Sequence, residues 1–322
     1  MSEQSNTTSA LIAQLFAAYG LTVTDLSAPE KGYRNASYRS GGYNLILYKS
    51  EPGIVARIRR ANAVGAAVAK AGLPARSPAD QRVLQLAAGE RRKYAGLYHY
   101  LPGHTIPWEA YTMDHLKELG KVMSDMHAAL AAFPAGVLPS VAHESLALNK
   151  RMLRYFTDTN VVQALKQKLG LRVAHADFTS LLTATDRLPA QQALHMDFVR
   201  GNILFDDTPE VTGILDFEKT ARGHKLYDVA RTLAFLLVDC KYKHEAKVRK
   251  YVLHSGYRKR GTSGLSDITI DGVSVLESLV DFFLLHDFYK FLRHNPYESL
   301  PQNEHFMRTK AMLLKRRLIA AD

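Results

Sequence analysis

The sequence contains very little cysteine and no long hydrophobic run. Cys240 is the only cysteine among the 322 residues, which excludes an intrachain disulfide and a cysteine-based zinc site. The longest apolar run, Leu233–Val238, is far shorter than the roughly 20 residues that a membrane-spanning helix needs. Residues 1–9 are polar and lack the basic segment and apolar core of a secretion signal. These absences predict a soluble, cytoplasmic protein.

The composition is that of a folded protein with a basic surface. Hydrophobic residues make up 47% of the chain, and the length suits one large domain or two lobes. Lysine and arginine total 42 against 31 acidic residues, which gives a formal net charge of +11. This excess favours anionic partners, namely nucleotides, phosphorylated metabolites, nucleic acid or a membrane surface. Charge alone does not choose among them, because most surface charge on soluble proteins is simply solvated.

The first third of the chain has the pattern of a small sheet with helices. Helical spacing of apolar residues predicts helices over Leu11–Tyr19 and Ile54–Ala71. Gly41-Gly42 predicts a hairpin turn, since adjacent glycines tolerate positive φ. The predicted strands are Thr22–Ser27, Ala36–Ser40, Tyr43–Lys49, Arg82–Leu86 and Lys93–Leu101.

Beyond Leu101-Pro102-Gly103 the pattern becomes mainly helical. A compact strand unit, Ala193–Asp216, interrupts the helices. The predicted helices are Asp114–Phe133, Leu146–Tyr155, Asn160–Leu169, Leu226–Cys240, Glu245–His254, Leu276–His294 and His305–Ala321. This order predicts an α+β fold with two lobes: residues 1–103 as a sheet-rich N-terminal lobe and hinge, and residues 104–322 as a larger helical lobe.

Acidic and amide side chains cluster around one predicted hairpin. Its strands are Ile203–Phe205 and Val211–Leu215, with turn-forming residues between them. Asn202 precedes the first strand and Asp216 follows the second, so antiparallel pairing would bring them side by side. Asp197 lies one short loop upstream. Two carboxylates and a side-chain carbonyl are therefore expected at one end of the hairpin.

Such a set of oxygen ligands suits Mg²⁺, which fills its remaining positions with water and phosphate oxygens. The spacing from His195 to Asn202, H-x-D-x-x-x-x-N, followed by Asp216-Phe217, matches the catalytic loop and metal aspartate of kinases. A structural alternative is that Asp197 and Asn202 merely cap turns while Asp216 ends a strand. The number of coinciding features favours the phosphoryl-transfer interpretation.

The chain resembles the aminoglycoside phosphotransferase and choline kinase superfamily, which has a protein-kinase-like fold. The loop from His195 to Asn202 resembles its H-G-D-x-x-x-x-N motif, and Ile214–Phe217 resembles its metal-binding I-D-F/W segment. Further matches run in the expected order from about residue 30 to residue 235. They are Gly32–Tyr38, the hinge strand Leu97–Gly103, Leu119-Gly120 with Met126-His127, and Gly223–Ala230.

The resemblance implies a small-molecule kinase and assigns roles to individual residues. Asp197 would be the catalytic base or would orient the acceptor hydroxyl, and Asn202 and Asp216 would hold Mg²⁺. His195 and Asp228 would support the catalytic loop. ATP or GTP would be the co-substrate, with its binding residues expected at Lys49, Gly32, Asn35, Ser37, Tyr98 and Tyr100.

Two departures from the family pattern stand out. Met196 occupies the position where the loop motif usually has glycine. The helix after the strand ending at Lys49 offers no acidic residue to pair with that lysine, and Asn62 lies where a glutamate is expected. Either Lys49 is positioned differently or Glu51 substitutes from the turn. A kinase-like protein of low or no activity that binds a nucleotide or anionic partner is therefore the alternative function.

Two other classes are disfavoured. A protein kinase needs a longer activation segment than the interval between Asp216 and Asp228 allows. A nucleic-acid binder is suggested by charge alone, without interleaved aromatic residues or a recognisable module. The expected partners are therefore a nucleotide and a small hydroxyl compound, for a monomer or homodimer.

The acceptor is expected to bind in the helical lobe. Asp281 and Asp287 lie on one predicted helix with aromatic residues, and either acid could hold a cationic or hydroxylated acceptor. The simpler interpretation is that the apolar residues of this helix are core and the acids are solvated. From Val229 to Asp322, 16 basic residues oppose 10 acidic ones, which disfavours a polycationic aminoglycoside. An amino alcohol, a sugar or a nucleoside is the expected acceptor.

Overall fold

The computed structural model describes residues 2–27, 30–31, 35–88, 91–260 and 268–322. The chain folds into two compact units. The first comprises Met1–Gly103 with Thr212–Glu218, and the second comprises His104–Val211 with Lys219–Asp322. The short segment that carries Asp216 thus belongs to the first unit although it lies far beyond residue 103.

The first unit is built on a five-stranded antiparallel sheet in the order β1-β2-β3-β5-β4. The predicted hairpin is confirmed: Ser40 pairs with Tyr43, and Gly41 in the turn has a φ of 56°. The elements of this unit are α1 (Ser2–Ala18), β1 (Glu30–Lys31), β2 (Ala36–Ser40), β3 (Tyr43–Tyr48), α2 (Ile54–Lys70), β4 (Leu84–Ala88) and β5 (Arg91–His99).

The alternation of side chains along β3 distributes them between two apolar clusters. Leu45 and Leu47 pack in one cluster with apolar residues of α1, and Ile46 and Tyr48 pack in another with residues of α2. Each face of the sheet is therefore covered by one helix.

A strand over Thr22–Ser27 was predicted and is wrong. This segment forms no ladder, and much of its bonding to β2 uses side chains. Ser27 Oγ accepts from the Arg39 N–H at 3.1 Å, and Asp25 Oδ1 accepts from the Gly41 N–H at 3.0 Å. Short polar side chains compete here with regular backbone pairing.

The second unit is mainly helical, as predicted. Its first helix, α3 (Met113–Ala131), begins with a capping box between Thr112 and His115. The elements that follow Gly103 in the chain are α3 (Met113–Ala131), α4 (Val141–Thr157), α5 (Thr159–Ala164), β6 (Leu171–Val173), α6 (Thr179–Thr185), β7 (Gln192–Leu194), β8 (Ile203–Phe205), β9 (Val211–Ile214), β10 (Ala221–Gly223), α7 (Leu226–Asp239), α8 (Glu245–Arg249), β11 (Thr269–Ile270), β12 (Val273–Ser274), α9 (Val275–His294), α10 (Glu304–Lys315) and β13 (Ile319–Ala321).

The strands of this region occur as short pairs. β8 and β9 form the predicted hairpin, and the division between the units falls within β9. β7 pairs antiparallel with β10, with Leu194 opposite Ala221, which fixes the backbone immediately before His195. The loop from His195 to Asn202 thus starts from a paired strand and ends at another.

A close approach of chain segments explains one glycine of the helical core. A Cβ on Gly120 of α3 would lie only 2.1 Å from the Val252 carbonyl oxygen and 2.9 Å from the Tyr257 nitrogen. Only glycine permits this contact. It brings Tyr257 next to α3, where its hydroxyl lies 2.6 Å from His127 Nδ1.

The predicted C-terminal helix His305–Ala321 is too long. Helix α10 ends at Lys315, and Arg317 has a φ of 59°, a left-handed conformation that interrupts the helix. The chain then forms β13, which pairs antiparallel with β6. The apolar residues after Arg317 fit either a helix or a short buried strand, and the pairing with β6 decides between them.

Within the part of the chain that the structure describes, no helix has the length and apolar character needed to cross a membrane.

Candidate active site

The loop after β7 is held by one buried carboxylate. Asp228, near the start of α7, accepts the backbone N–H of His195 at 2.8 Å on Oδ2 and that of Met196 at 2.5 Å on Oδ1. Its Oδ2 also lies 3.1 Å from His127 Nε2. Burial opposes ionisation of Asp228, but the hydrogen bonds and the nearby histidines outweigh it and hold the pKa of its carboxyl below the usual value. Asp228 therefore braces the loop.

Met196 is in the left-handed region, with a φ of 60°. This conformation suits the glycine that the related motif usually has, and it costs an ordinary residue about 1–2 kcal/mol. The Met196 side chain is 7% exposed, so its burial offsets part of this cost. The departure from the motif therefore changes the side chain while keeping the backbone conformation.

Asp197 lies next in the loop and is paired with two cations. Its Oδ1 accepts from Lys219 Nζ at 2.8 Å and from Arg231 at 3.1 Å. Burial raises the pKa of this carboxyl, but Lys219 and Arg231 outweigh burial and keep the pKa below its usual value. Asp197 is thus an ionised carboxylate in a largely buried position.

Asn202 and His195 hold the loop on either side of Asp197. Asn202 Nδ2 donates to the Asp197 backbone carbonyl at 2.9 Å and to Asp197 Oδ2 at 3.1 Å. His195 is fully buried, and its Nδ1 accepts the Asp197 N–H at 3.1 Å. The structure therefore brings together four of the predicted residues, His195, Asp197, Asn202 and Asp228.

Sequence reasoning missed the two cations. Lys219 follows Asp216 by three positions, and Arg231 lies one helical turn after Asp228, on the same side of α7. The Arg231 guanidinium lies 5.8 Å from the ring centre of Phe235 and 5.7 Å from that of Phe283. The spacing from Asp228 was a usable signal for Arg231.

In the first unit, Asp216 follows β9 with a φ of 56°, a strained conformation for a residue other than glycine. Its Oδ1 accepts the Glu218 N–H at 3.2 Å. Glu218 in turn accepts from Asn35 Nδ2 at 3.1 Å and lies 3.5 Å from Arg57 Nε. The structure thus connects Asn35 to the Asp216 segment and adds Arg57, which the sequence did not single out.

The other predicted nucleotide residues are distributed along the sheet. Lys49 is exposed and is the first residue after β3, while Ser37 Oγ donates to Asn44 Oδ1 at 2.6 Å. The Tyr98 hydroxyl is buried, and the Tyr100 N–H donates to the Gly42 carbonyl at 2.9 Å. Gly32 lies outside the described residues.

A buried network of neutral side chains includes Asn62, which lies where the family pattern has a helix glutamate. The Tyr48 and Tyr98 hydroxyls are 2.6 Å apart, and Tyr98 donates to Asn62 Oδ1 at 2.9 Å. Glu51 pairs with Arg57 at 2.6 Å. Asn62 thus binds Tyr98 from the position where a glutamate was expected.

The two acids predicted for the acceptor are paired within the helical unit. Asp281 forms an ion pair with Arg316, and Asp287 lies 2.8 Å from His305 Nε2. Phe282, Leu285 and Tyr289 of the same helix are buried, as the simpler interpretation expected, but its expectation that the two acids are solvated is wrong, because both are ion-paired.

A known enzyme family matches more than half of the sequence. The model of the phosphotransferase enzyme family, APH, matches residues 25–242. No curated protein matches the chain. This family match confirms the predicted class of enzyme, a small-molecule kinase that acts on hydroxyl groups.

Solved structures with a similar fold include three phosphotransferases. An amicoumacin kinase, hAmiN, in complex with AMP-PNP, Ca²⁺ and Ami has a TM-score of 0.67 at 12% identity, covering 98% of this chain and 96% of that chain. A microcompartment-associated aminopropanol kinase has a TM-score of 0.61 at 16% identity, covering 96% and 97%. The GDP complex of wild-type aminoglycoside 2'-phosphotransferase-IIIa has a TM-score of 0.60 at 13% identity, covering 97% and 100%.

These likenesses confirm the predicted kinase-like fold. The family match spans more than half of the chain and includes the loop from His195 to Asn202, Asp216 and Asp228. The chain therefore belongs to the APH phosphotransferase enzyme family.

Proposed function

We propose that the protein transfers the terminal phosphoryl group of ATP or GTP to a hydroxyl of a small molecule, with Mg²⁺ as the metal. The observation that carries this proposal is the ionised Asp197 carboxylate on a loop that Asp228 braces through two backbone N–H groups. Phosphoryl transfer depends mainly on positioning and electrostatic stabilisation, and a braced carboxylate supplies positioning.

Asp197 would accept the hydrogen bond of the acceptor hydroxyl and aim its oxygen at the terminal phosphorus. The bond from phosphorus to the acceptor oxygen forms while the bond to the leaving nucleoside diphosphate oxygen breaks. The hydroxyl proton passes to Asp197 and then to solvent. Because Lys219 and Arg231 lower its pKa, Asp197 is a weak base, so its orienting role outweighs proton abstraction.

The donor chemistry fits Mg²⁺. Asn202 and Asp216 offer an amide oxygen and a carboxylate, which are hard ligands, and we assign the metal to them. Among the described residues, no three His, Cys, Asp or Glu side chains are grouped to hold a metal by themselves. A metal held by these two residues would therefore need water and phosphate oxygens as its further ligands. When bound, Mg²⁺ would neutralise charge on the phosphates.

The nucleotide is assigned to the first unit, at Lys49, Gly32, Asn35, Ser37, Tyr98 and Tyr100. Support comes from the family match and from similar folds whose complexes contain GDP or AMP-PNP. The link from Asn35 through Glu218 to the Asp216 segment supports placing the phosphates near Asp216.

A second candidate is a kinase-like protein that binds a nucleotide without efficient catalysis. The network of Tyr48, Tyr98 and Asn62 favours it, because these neutral residues replace an ion pair that orients phosphates in other kinases. The intact set of His195, Asp197, Asn202 and Asp228 favours activity. The two candidates share nucleotide binding and differ in phosphoryl transfer.

Binding of the metal and nucleotide is tested by thermal stabilisation. Wild-type protein is expected to gain melting temperature with Mg²⁺ and ATP or GTP together, because a ligand that binds only the folded state stabilises it. Asp216→Ala should abolish the part of the gain that requires Mg²⁺, whereas Asp207→Ala, in the exposed turn between β8 and β9, should retain it. An unchanged Mg²⁺-dependent gain in Asp216→Ala would remove Asp216 from the metal site.

A further inference from the structure

Positive charge surrounds Asp197 within the helical unit. Lys219 and Arg231 both contact its carboxylate. Lys290 is on α9, whose Phe283 ring centre lies 5.7 Å from the Arg231 guanidinium. Burial, together with the charges of Arg231 and Lys219, lowers the pKa of Lys290. Lys219 and Lys290 are about half exposed, with side-chain exposures of 51% and 48%. One catalytic carboxylate therefore faces three cations, two of which solvent can reach.

The acids near this cluster are occupied by other partners. Asp287 is 2.8 Å from one nitrogen of His305, and Asp239 is 2.6 Å from the other. Burial lowers the pKa of His305, but these two carboxylates outweigh burial and raise it to about 9, so the imidazole is protonated at neutral pH. The two carboxylates and the imidazolium together carry a net charge of −1, and two further cations offset it, Lys290 at 3.8 Å from Asp287 and Arg308 at 3.8 Å from Asp239.

Two further groups near the cluster can hydrogen-bond to an acceptor, Arg231 Nε to its anionic group and His286 to a hydroxyl. Arg231 Nε is buried without a hydrogen-bond partner among the described residues, although the side chain is 13% exposed. Burial lowers the pKa of His286, and Arg231 and Lys290 lower it further to about 3, so this imidazole is neutral. A neutral imidazole adds no positive charge to the cluster, and it can hydrogen-bond to a hydroxyl.

We propose that the acceptor is a hydroxyl compound that carries an anionic group, a carboxylate or a phosphate, which Lys290 binds beside the Asp197 carboxylate. This proposal rests on the phosphotransferase function proposed above and replaces the acceptor expected from the sequence, an amino alcohol, a sugar or a nucleoside, by an anionic hydroxyl compound. The hydroxyl is held by Asp197, and the anionic group faces Lys290 and the surplus charge of Lys219 and Arg231. An amino alcohol or an aminoglycoside would bring positive charge to a site that already has an excess of it.

The cations could instead serve the phosphates of the nucleotide, since arginine and lysine also stabilise a transferring phosphoryl group. The two roles differ in their kinetics. A cation that binds the acceptor affects the KM of the acceptor, whereas a cation that binds the nucleotide affects the KM of the nucleotide. Lys290 is the best probe because it does not contact Asp197 directly, unlike Lys219 and Arg231.

The first experiment measures binding without turnover. Melting temperatures are recorded with three matched polyols, gluconate, glucose and glucosamine, and with glycerol phosphate as the phosphorylated anion. The protein is saturated with Mg²⁺ and a non-hydrolysable ATP or GTP analogue. We expect stabilisation by gluconate, glycerol phosphate or both, and little by glucose or glucosamine. Two results would overturn the proposal. One is a rise in melting temperature with glucose or glucosamine that equals or exceeds the rise with both anions. The other is the absence of any rise that is specific to the anions.

The second experiment is a phosphate-transfer screen with ATP and GTP against pools of hydroxycarboxylates, phosphorylated polyols, neutral sugars and amino alcohols. We expect transfer to one of the two anionic pools, and the pool identifies the anionic group. For the accepted compound, Lys290→Gln should raise the acceptor KM about threefold to tenfold, the size expected for one partly exposed charge. Nucleotide KM and kcat should change less than twofold, and Lys247→Gln, at an exposed lysine of α8, should match wild type.

The outcomes separate this proposal from the general function. Preferred transfer to the amino alcohols or neutral sugars, or a Lys290→Gln effect on the nucleotide KM alone, overturns the anionic acceptor and leaves the phosphotransferase function intact. Anion-specific stabilisation that Lys290→Gln reduces, without transfer to any pool, supports the anion site and contradicts the phosphotransferase function.

Discussion

The Met196 backbone N–H donates to the buried Asp228 carboxylate at 2.5 Å while Met196 itself has a φ of 60°. The hydrogen bond fixes a left-handed residue immediately before Asp197. Glycine would adopt this conformation without cost, whereas methionine must be held in it. The loop thus keeps the Met196 side chain together with the backbone geometry that it needs. Local strain at this position is balanced by the hydrogen bond and by burial of the methionine.

We expect Met196→Gly to be more stable than Met196→Ala, by about 1 kcal/mol, because glycine relieves the left-handed strain that alanine retains. At ordinary positions alanine is the more stable of the two, so the order itself is diagnostic. Both variants should be less stable than wild type by roughly 1–4 kcal/mol, since both lose a buried side chain. Urea denaturation of the three proteins measures this. An alanine variant more stable than the glycine variant would contradict the strain argument.

Asp228→Asn should destabilise the protein by about 3 kcal/mol, because the amide removes a buried charge that accepts from two backbone N–H groups and His127. It should also lower kcat roughly 10²-fold by loosening the loop that positions Asp197. The control is Asp186→Asn, at a partly exposed acid that accepts from Ser140 Oγ. Its effect on stability should stay below about 1 kcal/mol. A stable Asp228→Asn variant with full turnover would show that Asp228 does not brace the loop.

The sequence predicted the elements that depend on local pattern. Helices α3, α7 and α9 have strong apolar periodicity and appear within a few residues of the predicted bounds. The loop from His195 to Asn202 and its support by Asp228 were also predictable, because the residues of a motif act together and therefore occur at a recognisable spacing.

What the sequence did not predict depends on pairing across distant segments. The β13 strand exists only because β6 lies beside it, and the Asp25 and Ser27 side chains take the bonds that a strand over Thr22–Ser27 needed. Likewise, no local pattern indicates that Arg316 pairs with Asp281 or that His305 lies between Asp239 and Asp287. These pairings set the charge around the proposed acceptor site.

The role of Lys49 is tested by nucleotide affinity. If Lys49 contacts the phosphates, Lys49→Met should raise the nucleotide KM or Kd about tenfold, as expected for one charge-assisted contact. Lys70→Met, at an exposed lysine at the end of α2, serves as the control and should match wild type. Arg57→Met is the informative third variant, because Arg57 lies beside Glu218 and near the Asp216 segment. A normal affinity in Lys49→Met with a weakened one in Arg57→Met would assign the contact to Arg57 instead.

His305 should make stability depend on pH. Burial lowers its pKa, yet Asp239 and Asp287 raise it from 6.5 to about 9 in the folded protein. A group whose pKa is higher in the folded than in the unfolded protein stabilises the folded state fully at pH values below its unfolded pKa. The contribution of His305 is therefore fully present below about pH 6.5 and is lost as the pH rises through about 9.

The measurement compares free energies of unfolding at the two ends of this pH window. We expect His305→Gln to lose less stability than wild type between them, because it has no imidazolium to deprotonate. His294→Gln, at an exposed histidine at the end of α9, should follow wild type. An identical pH dependence in wild type and His305→Gln would show that the imidazole is not held protonated by its two carboxylates.

The most direct test of the central claim is transfer of the labelled terminal phosphate of ATP or GTP to a hydroxyl acceptor, compared between wild type and Asp197→Asn. We predict Mg²⁺-dependent transfer by wild type and a loss of at least about 10²-fold in kcat for the variant. The asparagine oxygen can still accept from Lys219 and Arg231, so nucleotide-induced stabilisation should persist in the variant. Transfer by Asp197→Asn at near the wild-type rate would contradict the assignment of Asp197 as the residue that positions the acceptor hydroxyl.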